Sequence, residues 1–319
     1  MKQCAYCSKP LVKNIKTKEH IIPKGLIELF PEQNITFTAD RAYKDNNGQS
    51  ISDVCKICNN GVLSELDVYG INLIKNNFMQ KFKPDDNLNI SFDFDKMCRW
   101  LLKIAFNHER VEKNSCTWFK RNIDYINGIS NTSERCSVFA GLHVDMNPLG
   151  EENDLYLPLN IGSDLKFYDT GIVSYSGLMN GKIKESTTEP LNFKEIYKSY
   201  SFRFASARFI LILWKNTTLM NDMEEVENLE ILIETLFPYK NINKSEITLE
   251  RANDNLSGRF SNLIIGNVGM SIMDNMVRSM IPDLEGTQKY FREFRNSRDR
   301  AFDNVFEDLF IDQYNKEKN

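Results

Sequence analysis

The 319-residue chain has no window of 18 uncharged apolar residues, and its longest apolar run, Phe209 to Trp214, is far too short to span a bilayer. Behind Met1-Lys2-Gln3-Cys4 there is no apolar h-region, so no secretory signal is expected and the chain is read as cytoplasmic, with no membrane partner. There is no internal repeat, no low-complexity linker and no Gly-rich phosphate loop, and the serines lack a histidine at a spacing that would suggest a nucleophile. Strong charge of one sign is missing as well. A net charge of −4 argues against a protein coated in basic surface, although residues 1–60 carry nine Lys/Arg against six acids, so +3, and leave the remainder at −7. A modest positive end on an acidic body permits local contact with a polyanion without general stickiness.

What the sequence does have is a pattern of cysteines. Seven cysteines in a chain read as intracellular point to metal or redox chemistry rather than a disulfide framework. Four of them form two pairs of one type, Cys4-Ala5-Tyr6-Cys7 and Cys55-Lys56-Ile57-Cys58. Two residues between paired thiolates let both sulfurs reach one tetrahedral Zn²⁺, and two such knuckles close a structural site. The competing reading, a redox dithiol, does not call for a twin. Cys98, Cys116 and Cys136 have no partner at ligand spacing and read as small buried hydrophobes.

Between the knuckles lies Glu19-His20-Ile21-Ile22-Pro23-Lys24-Gly25, an extended stretch that Pro23-Lys24-Gly25 should break into a turn. After the second knuckle, Val62, Leu66 and Tyr69 recur at helical spacing, which puts Asn59 at a helix start, where its side-chain oxygen can cap or ligate. Taken singly, His20 reads as a core histidine and Asn59 as a cap; pinned by one zinc knot they gain a second meaning. Of the other histidines, His108 falls on the stripe Met97, Leu101, Ile104, Ala105, and His143 lies in the apolar run Ser137 to Val144, so both read as structural.

The order C-x-x-C, Glu-His-Ile-Ile-Pro, C-x-x-C-Asn resembles the HNH endonuclease family, whose catalytic unit is the ββα-metal finger; the match covers Cys4 to Asp67. The resemblance implies that His20 is the general base activating a water, that Glu19 helps hold a catalytic Mg²⁺ or Mn²⁺, and that Asn59 is the other ligand of that ion, while zinc is structural. The middle asparagine of the motif has no counterpart, since Ser50-Ile51-Ser52-Asp53 stands there. Such chemistry is consistent with the residues: a neutral imidazole supplies the base, and a hard cation on carboxylate and amide oxygens supplies the charge sink.

The expectation is an α+β protein with an HNH nuclease finger over residues 1–84 and a helical and β-containing region over 85–319 that recognises the target or regulates the finger. Its function is metal-dependent hydrolysis of DNA, in phage defence or a mobile element, with nucleic acid as partner and an activating protein or a homo-oligomer left open. The rival is a non-catalytic zinc knuckle that binds nucleic acid or protein. Downstream, Asp95–His108 and Ser115–Gly128 read as helices, Leu155–Ile161, Leu165–Tyr175 and Phe202–Trp214 as strands, and the stripes Val226–Leu236, Val268–Met280 and Phe302–Leu309 as helices. Arg292, Arg295 and Arg298 beside Tyr290, Phe291 and Phe294 read either as a phosphate contact or as a solvated face.

Overall fold

The computed structural model describes residues 2–31, 35–37, 42–44, 48–80, 82–83, 85–142, 159–166, 193–215, 223–236, 238–242, 246–251 and 257–265, with 35–37, 42–44, 160, 166, 223–224, 236 and 257–265 described as backbone. His143, Leu155 and Leu157, the expected strand beyond residue 166, the stripes Val268–Met280 and Phe302–Leu309 and the Arg292–Arg298 strip lie outside these residues. The chain is mixed helix and sheet, as the α+β expectation has it. Among the described residues, no helix is long and apolar enough to cross a membrane.

Among the described residues, three antiparallel sheets organise it. Strands β1 (Lys16–His20) and β4 (Ser50–Cys55) form a two-stranded ladder, and β5 (Asn87–Ser91) pairs with β11 (Glu246–Glu250) in another. The third sheet has eight strands in the order β10 (Lys240–Asn241), β6 (Cys136–Leu142), β9 (Ala207–Trp214), β8 (Ile196–Phe204), β7 (Leu159–Lys166), β12 (Ser257–Ile265), β2 (Ile35–Phe37) and β3 (Ala42–Lys44). Backbone from the segment between β1 and β4 thus joins the far edge of the large sheet.

The strand-like stretch Phe202 to Trp214, interrupted by Arg203, Ser206 and Arg208, is explained by burial on both faces. It folds as a hairpin: Ala205, at φ 54°, and Ser206 turn the chain between β8 and β9. Sequence periodicity does not place that turn, because it holds no glycine, asparagine or proline and a lone serine is a weak turn signal. On β9, Phe209, Leu211 and Leu213 enter one core while Ile210, Ile212 and Trp214 enter a second on the other face, the period of two expected of a strand. The second core is closed by helix α7 (Met223–Leu236) through Val226, Leu229 and Ile233.

The first core is built around α4 (Phe94–Val111), one turn longer than the sequence suggests and capped by Asp93, whose side chain accepts from the Lys96 amide at 3.1 Å. Trp100 packs on Phe204 of β8, with ring centroids 5.2 Å apart, and His108 meets Tyr200 edge to face. His108 is buried as expected; burial, with the Lys198 ammonium adding to it, pushes its imidazole down to about 3, so it is neutral. Helix α3 (Ser64–Asn77) crosses α4 closely where Gly70 faces Trp100: a Cβ there would lie 2.1 Å from the indole.

Two local expectations fail for identifiable reasons. Pro23-Lys24-Gly25 does not form a simple turn but opens a short helix, α1 (Lys24–Glu28), with the Pro23 carbonyl accepting from Leu26; proline lacks only the amide that a helix start leaves unused. Ser115–Gly128 is two short helices, α5 (Thr117–Arg121) and α6 (Ile123–Ile126), interrupted at Asn122. The Asn122 amide donates to the Trp118 carbonyl at 2.8 Å and its oxygen accepts from the Glu134 backbone at 2.6 Å, so the side chain competes with the helical ladder.

Candidate metal centre and the network behind it

Cys4, Cys7, Cys55 and Cys58 converge: their four sulfurs all lie within 4.8 Å of one another. The first knuckle is a tight turn in which the Cys4 amide bonds the Lys9 carbonyl and Ser8 adopts a left-handed φ of 58°. The second lies where β4 ends and helix α2 (Lys56–Cys58) begins. The Ala5 amide donates to the Asp53 carbonyl at 2.9 Å and the Lys56 amide to the Ile15 carbonyl at 2.7 Å, so backbone bonds hold the knuckles to the β1–β4 ladder.

This cluster fits zinc. Ligands at about 2.3 Å around a tetrahedral ion stand about 3.8 Å apart, and Cys7 Sγ lies 3.7 Å from Cys55 Sγ. Electrostatics point the same way. Burial raises the Cys4 thiol, but amide hydrogens of Cys55, Cys7 and Tyr6 outweigh it and bring it down to about 7; the Cys55 amide is 3.3 Å from the sulfur. Burial and the neighbouring sulfurs push Cys58 and Cys7 up. Four thiolates at this spacing repel one another, and a divalent cation removes that repulsion.

His20 is the last residue of β1, half-buried and opposite Ser50, in a ladder that bulges between Thr17 and Glu19. Asn59 follows α2 in a π-helical turn (Asn59–Leu63) that precedes α3. It does not cap the helix. Its amide instead reaches across to β1, donating to the Lys18 carbonyl at 2.9 Å and to Thr17 Oγ1 at 3.0 Å. The knot therefore ties the start of the helix to the strand end that carries His20.

Glu19 turns inward and is 4% exposed. Its Oε1 lies 2.5 Å from the ammonium of Lys103 on α4, which is itself fully buried and sits 2.7 Å from both oxygens of Asp67 on α3. Burial alone would push this lysine down; Asp67 and Glu19 outweigh it and hold the ammonium above its ordinary value. One turn further along α4, Asn107 donates to Glu19 Oε1 at 3.3 Å and to the His20 carbonyl at 3.1 Å, and its oxygen accepts from Tyr6 of the first knuckle at 2.6 Å and from Arg110 at 2.5 Å. Arg110 lies over the Phe106 ring at 4.3 Å and 3.2 Å from Asp53 Oδ1.

A divalent ion fits this corner less well than zinc fits the thiols. Glu19 Oε1 is shared between the Lys103 ammonium and the Asn107 amide, and a metal would have to share the carboxylate with them. Asn59 leaves its carbonyl oxygen without a partner among the described residues, which suits ligation.

Lys103, Asn107 and Arg110 carry no motif, yet they recur at i, i+4 and i+7 on one face of a helix whose surrounding residues are apolar. A lysine between Leu102 and Ile104 in such a run is the available signal, since a buried ammonium needs a carboxylate partner. Comparison of the chain with protein families, with curated proteins and with solved structures returned no match.

Proposed function

We propose that the N-terminal unit is a zinc-stapled ββα-metal finger of the HNH kind and that the chain hydrolyses phosphodiester bonds of DNA. One observation carries this reading: the four-cysteine knot and the Asn59 bonds to Lys18 and Thr17 hold a strand ending in His20 against the helix that follows the second knuckle. The paired strands β1 and β4 and the helix after them thus hold the resembling residues at a strand end and beside a helix start.

In this reading His20 takes the proton of an attacking water, and Asn107, bonded to the His20 carbonyl, positions the strand end. Asn59 and Glu19 would hold Mg²⁺ or Mn²⁺, which supplies charge stabilisation at the phosphate when bound. Residues 85–319 recognise the target or regulate the finger, and reduced thiols suit a cytoplasmic setting such as phage defence or a mobile element. A second reading, a zinc knuckle that binds nucleic acid without cutting it, is favoured by one observation, the engagement of Glu19 by Lys103.

Zinc-loaded protein incubated with supercoiled plasmid or structured RNA in Mg²⁺, Mn²⁺ or chelator separates the two. Nicked or linear plasmid that forms only with a divalent ion is the expected result. Plasmid and RNA that are retarded on a gel yet left intact in every buffer would favour the binding module.

A further inference from the structure

Cys98 and Cys136, which the sequence leaves as two unrelated buried thiols 38 residues apart, meet with their sulfurs 3.4 Å from each other. Cys98 sits on α4 and is 1% exposed; Cys136 is the first residue of β6 and is partly exposed. No third ligand completes a metal group around them among the described residues, where the knuckle cysteines form the one such cluster. We infer that Cys98 and Cys136 are an oxidation site, a dithiol that a hydroperoxide converts to a disulfide joining α4 to the large sheet.

The geometry assigns the two sulfurs different tasks. Cys136 is the more exposed residue of the two; the Cys98–Cys136 hydrogen bond outweighs burial and lowers Cys136, while the same bond, with burial, raises Cys98. Cys136 is therefore the sulfur placed to attack, and Cys98 the one that resolves it. In the first step Cys136 sulfur attacks a peroxide oxygen: an S–O bond forms, the O–O bond breaks, and the leaving hydroxide takes the proton that the Cys136 thiol gives up and departs as water. In the second, Cys98 sulfur attacks Cys136 sulfur, the S–S bond forms, the S–O bond breaks, and hydroxide leaves with the Cys98 proton as a second water. Two thiols lose two electrons and two protons, and one hydrogen peroxide is reduced to two waters. Sulfurs at 3.4 Å close to a bond of about 2.05 Å by small side-chain rotations. The consequence falls on α4, the helix that also carries Lys103 and Asn107, so oxidation fixes to the sheet the element that holds Glu19 and His20.

The test is peptide mapping of the full, zinc-loaded chain after a few equivalents of hydrogen peroxide, with remaining thiols alkylated under denaturing conditions. The expected product is a Cys98–Cys136 cross-linked peptide pair, lighter by two hydrogens than the reduced peptides and restored by dithiothreitol, formed before Cys116 loses its alkyl label. Cys98→Ser should stop the reaction at a Cys136 sulfenic acid that dimedone traps. The wild-type map stands alone should that variant fold poorly. Cys98 and Cys136 both fully alkylated, while Cys116 or the knuckle cysteines are oxidised, would overturn the assignment.

Discussion

Cys58→Ser is expected to strip zinc from the protein and unfold its N-terminal unit. A serine hydroxyl does not ionise at neutral pH, so the ion loses one of four ligands, and a structural zinc contributes apparent binding energy of about 10–16 kcal/mol. That exceeds or matches the net stability of a whole domain, about 5–15 kcal/mol. The loss spreads, because Cys4, Tyr6, Val54, Cys55 and Cys58 belong to the same core as Trp100, Phe106 and Phe204. Metal analysis should fall from one zinc per chain to none, and hydrogen exchange should show amides of β1 and β4 unprotected. A zinc-free variant with wild-type exchange at those strands would show that backbone bonds alone hold the knuckles.

Lys103→Ala should be nearly as damaging by a different route. The substitution leaves the buried Glu19 and the partly buried Asp67 without their cation and opens a gap in α4, where the lysine is fully buried. Breaking a buried ion pair in this way costs about 3–5 kcal/mol, to be read as a shift of the urea unfolding midpoint. Lys103→Met, which fills the volume, should lose almost as much. Adding Glu19→Gln to Lys103→Met should recover part of the loss, since one orphaned charge is then gone. A midpoint moved by less than about 1 kcal/mol would place the ammonium in the class of exposed pairs.

The parts legible in the sequence are those whose signal is local. The knuckle pairs declare themselves by spacing, α4 by the recurrence of Met97, Leu101 and Ile104, and α7 by Val226, Leu229 and Ile233. What is not legible depends on partners far along the chain. Asn107 meets Glu19 across 88 residues, and Ser206 turns its hairpin with its amide on the Phe78 carbonyl, 128 residues away. The Asn122 break and the Cys98–Cys136 contact are of the same kind: a side chain finds a competing or complementary group that no period announces. Lys103 lies between the two cases, visible as a charge in an apolar helix but with carboxylate partners that only the crossing of α3, α4 and β1 supplies.

In the proposed function the zinc knot presents His20 as the base of a hydrolytic site. Single-turnover cleavage of supercoiled plasmid by wild type and His20→Ala, with zinc content and DNA affinity measured on the same preparations, tests it most directly. The expected result is a rate at least about 10²-fold lower for His20→Ala, the usual contribution of a general base, with one zinc per chain and unchanged affinity in both. Equal rates for the two proteins, each carrying its zinc, would contradict the assignment of His20.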